Sequence, residues 1–88
     1  MKHTKPTLVK IESLLQEVGF RVRYEKGNFN SGYCILEDKS VIVINKFFDT
    51  QGRVQVLLDL IDALPIDETM LSDKSKTVLK ALLKMEDI

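Results

Sequence analysis

From Val41 to Leu64 the chain reads VIVINKFFDTQGRVQVLLDLIDAL. Its first four residues are apolar at every position, where a strand with one wet face would alternate. A strand of that kind is predicted to be central, covered on both faces or nearly so. Behind it, Asp49 or Thr50 is predicted to cap a helix through Ala63, with Val54, Leu57, Leu58, Ile61 and Leu64 along one side. Pro65 ends that helix, because proline cannot continue the hydrogen-bond ladder. A central strand feeding an amphipathic helix requires strands on both flanks and more apolar cover. The rest of the chain must supply both.

The cover comes first in sequence. Leu8, Ile11, Leu14, Leu15 and Val18 recur at helical spacing, with Lys10, Glu12, Gln16 and Glu17 on the other face. Thr4 stands where a cap belongs, Pro6 suits a first turn, and Gly19 supplies the stop. The period then changes. Phe20, Val22 and Tyr24 alternate with Arg21, Arg23 and Glu25, the repeat of a strand with one buried face. The loop Gly27–Gly32 turns the chain, Tyr33 to Glu37 reads as a second strand, Asp38-Lys39-Ser40 as a tight connection and Val41 to Asn45 as the third strand. After Ile66 to Leu71, a short turn or a single helical turn, Ser72 is placed to cap a last helix. That helix carries Val78, Leu79, Leu82 and Leu83 opposite Lys74, Lys76, Lys80 and Lys84. The expected fold class is α+β: a helix, a three-stranded mainly antiparallel sheet, then two helices. Residues 1–88 form one small domain in this reading, with 1–6 as a mobile tail. Leu15, Ile44 and Leu57 should meet in its core.

A chain of 88 residues can bury one modest core. Thirteen basic residues balance thirteen acidic ones, so no bulk field draws nucleic acid or an anionic membrane. One cysteine, Cys34, excludes an intramolecular disulfide framework and a thiolate-rich zinc site, and fits a reducing compartment. The N-terminus MKHTKPTLVK has positive charge, but Glu12 interrupts what would be the apolar stretch of a signal peptide. The longest apolar run, Val41 to Ile44, is far short of the ~20 residues that span a bilayer. The expectation is a cytoplasmic protein with no membrane partner.

The segments Gly19 to Glu25, Gly32 to Glu37, and Val41 to Asn45 followed by Arg53-Val54 together carry a resemblance. From Leu8 to Leu64 the pattern resembles the ImmA/IrrE family, metallopeptidases with a helix, a small sheet and then a helix bearing H-E-x-x-H. It is also similar to the N-terminal pattern of small bacterial proteins of unknown function. In the family, two histidines four apart project onto zinc, with a glutamate between them as general base. Here Leu58 and Asp62 stand at the histidine positions and Asp59 at the glutamate position. Leucine cannot ligate a metal, and one aspartate is short of the three protein ligands a catalytic zinc needs. The resemblance therefore implies the shape and argues against the activity: no catalytic residue, no metal ligand and no cofactor.

Four groups of residues invite a sharper reading. Cys34 lacks a histidine to activate it, since His3, the only one, lies in the expected tail; a buried small side chain is the expectation. Asp59 and Asp62 could hold a cation, with Asp67 and Glu68 beyond Pro65, but read as a solvated helix face. Arg21, Arg23, Lys26, Lys39, Lys46 and Arg53 could form a basic face near Tyr24, Phe29 and Tyr33, the elements of single-strand binding. Glu25, Glu37 and Asp38 interrupt them, so nucleic-acid binding is not expected. Phe47 and Phe48 are expected to complete the core; the alternative leaves one beneath the following helix and the other exposed, as a surface for self-association. What results is a non-catalytic interaction module of ImmA/IrrE-like shape. Its partner is a second copy, through a sheet edge or the apolar face of the last helix, or an unknown protein. The alternatives are an enzyme whose site is shared between chains and a weak nucleic-acid-binding protein.

Overall fold

The computed structural model describes residues 3–36, 39–64 and 66–86, with residues 34–36, 85 and 86 described by backbone alone. The order is α1 (Lys5–Glu17), β1 (Phe20–Glu25), β2 (Gly32–Leu36), β3 (Lys39–Asn45), α2 (Thr50–Ala63), a 3₁₀ turn (Glu68–Met70) and α3 (Asp73–Glu86). The fold is α+β, as expected. The segment expected as a tail is partly ordered: α1 starts at Lys5, and His3 Nε2 lies 3.2 Å from Gln55 Oε1 on α2. Thr4 is the N-cap, yet its hydroxyl reaches the Thr7 hydroxyl at 3.3 Å instead of a backbone N–H. Gly19 ends α1 with φ +89°, a conformation that a Cβ would strain.

The strand order is β1-β3-β2. β3 is central, as its unbroken apolar run demands. It pairs parallel with β1 from Phe20↔Ser40 to Glu25↔Asn45, and antiparallel with β2 from Gly32↔Val43 to Leu36↔Lys39. The sheet is thus mixed, where mainly antiparallel pairing was expected. The physical reason lies in β3: inserted between its neighbours it has a strand on each flank, and the loop after β1 carries the chain past it to the far edge. β3 also begins two residues earlier than expected, because Lys39 and Ser40 pair with Leu36 and Ile35. Glu37 and Asp38 lie outside the described residues, as does the expected helix stop at Pro65. α2 ends before it, and Leu64 is extended with ψ 144°, as the residue before a proline must be.

Phe20, Val22 and Tyr24 share the helix-side face of the sheet with Ile42 and Ile44. Leu8, Ile11, Leu14 and Leu15 of α1, Val54, Leu57, Leu58 and Ile61 of α2, and Leu71, Leu79 and Leu82 complete one apolar cluster with them. Leu15, Ile44 and Leu57 are each fully buried, as the sequence predicts. The opposite face carries Arg21, Arg23 and Glu25 beside Val41 and Val43.

α3 docks differently. Ser72 Oγ accepts from Ser75 N–H at 3.2 Å, the expected cap. A capping box would add a carboxylate at the position of Ser75, reaching back to the cap's own N–H. Here that carboxylate comes from another helix. Glu17, the last residue of α1, accepts from Ser72 N–H at 2.8 Å and from the Ser75 hydroxyl.

Candidate interaction surface

The carboxyl end of the parallel pair β1/β3 runs into the segment Asn45–Asp49, and polar bonds fix nearly all of it. Asn45 is the hub. Its side-chain amide donates to Gly27 O at 2.8 Å and to Phe29 O at 3.1 Å, holding the loop after β1. Its Oδ1 accepts from Phe47 N–H at 3.1 Å, and its own N–H donates to Ser31 Oγ at 2.8 Å. Gly27, at φ +155°, sits so close to the Phe29 ring that a Cβ there would lie 2.9 Å from it.

Arg53, on the first turns of α2, closes the segment from the other side. Its Nε donates to Phe48 O at 2.9 Å and its Nη2 to Lys46 O at 3.0 Å. The guanidinium lies 4.6 Å over the Tyr24 ring, where the negative face of the π-system favours a cation. The Tyr24 hydroxyl donates to Glu12 Oε2 at 2.7 Å. Burial pushes the Tyr24 phenol up, helped by that carboxylate and opposed by Arg53, so it stays a neutral donor. Asp49 Oδ1 accepts from Gly52 N–H at 2.8 Å, so of the two predicted caps, Asp49 and Thr50, it is Asp49 that caps α2. Gly52 lets the helix start lie against Phe48, whose Cβ would be 3.3 Å from an added methyl.

This fixed segment presents Phe47, 72% exposed, with Phe48 at 38% beside it. Both were expected in the core. The correction has a simple cause: Phe20, Ile42 and Ile44 already fill the sheet's helix-side face, and α2 begins too soon after β3 for Phe47 to turn inward. The alternative reading is closer, with Phe48 against the helix start and Phe47 in solvent.

The other expected groups do not assemble. Arg21 and Arg23 lie on the open face of the sheet, whereas Tyr24 and Tyr33 lie on the helix side, so these two strand arginines are on the face opposite both rings. Tyr33 instead packs edge-on to Phe20, with centroids 5.6 Å apart. Arg23 pairs with its neighbour Glu25 at 2.8 Å, and Arg53 is bound to carbonyls. Asp59 and Asp62 are exposed, Asp59 accepting from Gln55 at 3.0 Å, while Leu58 is buried in the core. Asp67 accepts both the N–H and the hydroxyl of Thr69, which hold its carboxyl below the usual range. Among the described residues no three His, Cys, Asp or Glu side chains converge on a metal position. Cys34 pairs in register with Val41; its side chain lies outside the described atoms. α3 turns its Leu79 and Leu82 into the core and leaves Leu83 at 40% exposure, so its apolar face is largely covered from within. Among the described residues no helix is long and apolar enough to cross a membrane.

Asn45, Arg53 and Glu17 were not singled out for these structural roles by the sequence. The one available signal was Asn45 itself, a polar residue closing an otherwise apolar strand. Comparison with protein-family models, with curated proteins and with solved structures gives no match to this chain.

Proposed function

We propose that this protein is a non-catalytic interaction module whose anchor is Phe47. The observation that carries the reading is a large aromatic side chain, 72% exposed, on a segment whose backbone is tied by Asn45 and Arg53. An aromatic on a backbone that is already fixed leaves only its own side-chain rotamers to be ordered on docking, which lowers the cost of making it an interface anchor. Two carboxylates serve structure: Glu12 binds Tyr24, and Glu17 caps α3. The ImmA/IrrE-like shape belongs to the same proposal, supported by a helix, three strands and a second helix in that order. The positions of that family's zinc histidines hold a buried leucine and an exposed aspartate, which fits a module without the peptidase centre.

The test is affinity capture from native extract with the wild-type chain and Phe47→Asp, each checked by circular dichroism. Proteins retained by the wild type and lost with Phe47→Asp support the anchor. An identical bound set with both chains refutes it.

A further inference from the structure

We propose that two copies of this chain pair antiparallel through β1, about a two-fold axis at Arg23, to make a continuous six-stranded sheet. This interface is separate from the Phe47 anchor and goes beyond it.

β1 is an edge strand. Lys46 N–H donates to Glu25 O at 2.8 Å, so the peptide groups of Glu25 face β3. By the two-residue repeat, Arg21 and Arg23 face β3 as well, and the N–H and C=O of Phe20, Val22 and Tyr24 point outward. Among the described residues no hydrogen bond reaches those outward groups. A cleft of about 250 Å³ is lined by Glu12 and Gln16 of α1 and by Phe20, Arg21 and Val22 of β1.

Charge decides the occupant and the register. Residues directly opposite in an antiparallel pair share a face, so an axis between two residues would set apolar positions against charged ones. An axis at Val22 places Arg21 opposite Arg23 of the second copy, twice, and like charges there repel. An axis at Arg23 places Arg21 opposite Glu25 of the second copy and Glu25 opposite its Arg21. The same register sets Val22 against Tyr24 in both directions, joining outward peptide groups in about four N–H···O=C bonds. Arg23 meets its own copy at the axis, where each guanidinium is already neutralised by its own Glu25 at 2.8 Å. A Glu25 carboxylate has oxygens enough to accept from both arginines. An axis at Tyr24 would also oppose Arg23 to Glu25, but it sets Val22 against Lys26, beyond the end of β1. Within Phe20–Glu25 the Arg23 axis is therefore the register that pairs the strand with itself most fully, as a two-fold interface requires.

Sedimentation equilibrium at tens of micromolar should give twice the 10.1 kDa chain mass for the wild type. Glu25→Arg should raise the dimer dissociation constant about tenfold or more, by turning both attractive pairs repulsive. The double swap Arg21→Glu with Glu25→Arg should restore it. In a Cys34→Ser background, Arg23→Cys should cross-link on mild oxidation. Opposed Cα atoms at a non-hydrogen-bonded pair lie about 4.5 Å apart, within disulfide reach. A wild type of single-chain mass at all concentrations overturns the proposal, as does cross-linking through Arg21→Cys in place of Arg23→Cys. A dimer lost in Phe47→Asp but kept in Glu25→Arg also overturns it, while leaving the Phe47 anchor standing. The converse result supports β1 pairing, and the fate of the anchor then rests on the capture experiment alone.

Discussion

The stack of Leu15, Ile44 and Leu57 and the segment Asn45–Asp49 adjoin, since Ile44 and Asn45 are consecutive, yet opposite physics holds them. The stack is apolar and dry, and area removed from water stabilises it without regard to direction. The segment buries little of its apolar surface and is fixed by directed bonds from Asn45 and Arg53, each satisfying peptide groups that have left the sheet. The first arrangement tolerates changes of shape that keep volume. The second tolerates almost no change of atom type at its two hubs, and many changes at the ring it displays.

The sharpest way to break this contrast is at the stack. Leu57→Ala should cost about 2–5 kcal/mol, a large share of a small domain's stability, read as a shifted urea midpoint at unchanged slope. An unmoved midpoint would mean that α2 does not carry the core. Next comes Asn45→Ala, which leaves two loop carbonyls and the Phe47 N–H without their partner. About 1–3 kcal/mol is expected for groups left unsatisfied. The loss should appear with faster amide exchange in the loop after β1 and at Phe47, a local signature that a core cavity would not give.

Glu17 offers a smaller effect with a sign that pH can test. Bonds from the Ser75 hydroxyl and from Ser72 hold its carboxyl below the ordinary 4.5. A depressed carboxylate contributes stability that is present above the unfolded value and lost as pH falls through the folded one. Wild type should therefore melt above Glu17→Gln at neutral pH, with the gap closing below pH 4.5. A gap constant through that window would show that the charge on Glu17 is not what docks α3. The least effect on stability is expected at the anchor. Phe47→Ser should stay within about 0.5 kcal/mol of wild type, because a side chain already in solvent loses little by its removal. A large destabilisation would place Phe47 in the core after all.

Much of the fold was legible because its signals are periodic. The helical stripe of α1 and the capped stripe of α2 describe one element each, and Asp49 announces its helix by local chemistry alone. The direction of pairing was not legible. A loop rich in glycine and asparagine between two strands reads equally as a hairpin or as a passage to the far edge, and only competition for the centre of the sheet separates them. The polar hubs were hidden for a similar reason. Arg53 looked like one of six surface cations, and its bonds to Lys46 O and Phe48 O exist because the turn after β3 brings those carbonyls to it.

By itself the sequence determined most of the residues that leave water and the elements that carry them, Phe47 and Phe48 excepted, since burial in helices and strands follows from patterns within ten or so consecutive positions. It also narrowed the cap of the second helix to Asp49 or Thr50, and placed the cap at Ser72 and the stop at Gly19. Only the tertiary structure decided that β3 lies between β1 and β2, that Glu17 caps a helix 55 residues away, and that Phe47 faces solvent on a fixed support. Each of those depends on which distant groups become neighbours. A hydrogen bond counts only between atoms brought to the right distance and angle, and that is a property of the packed chain.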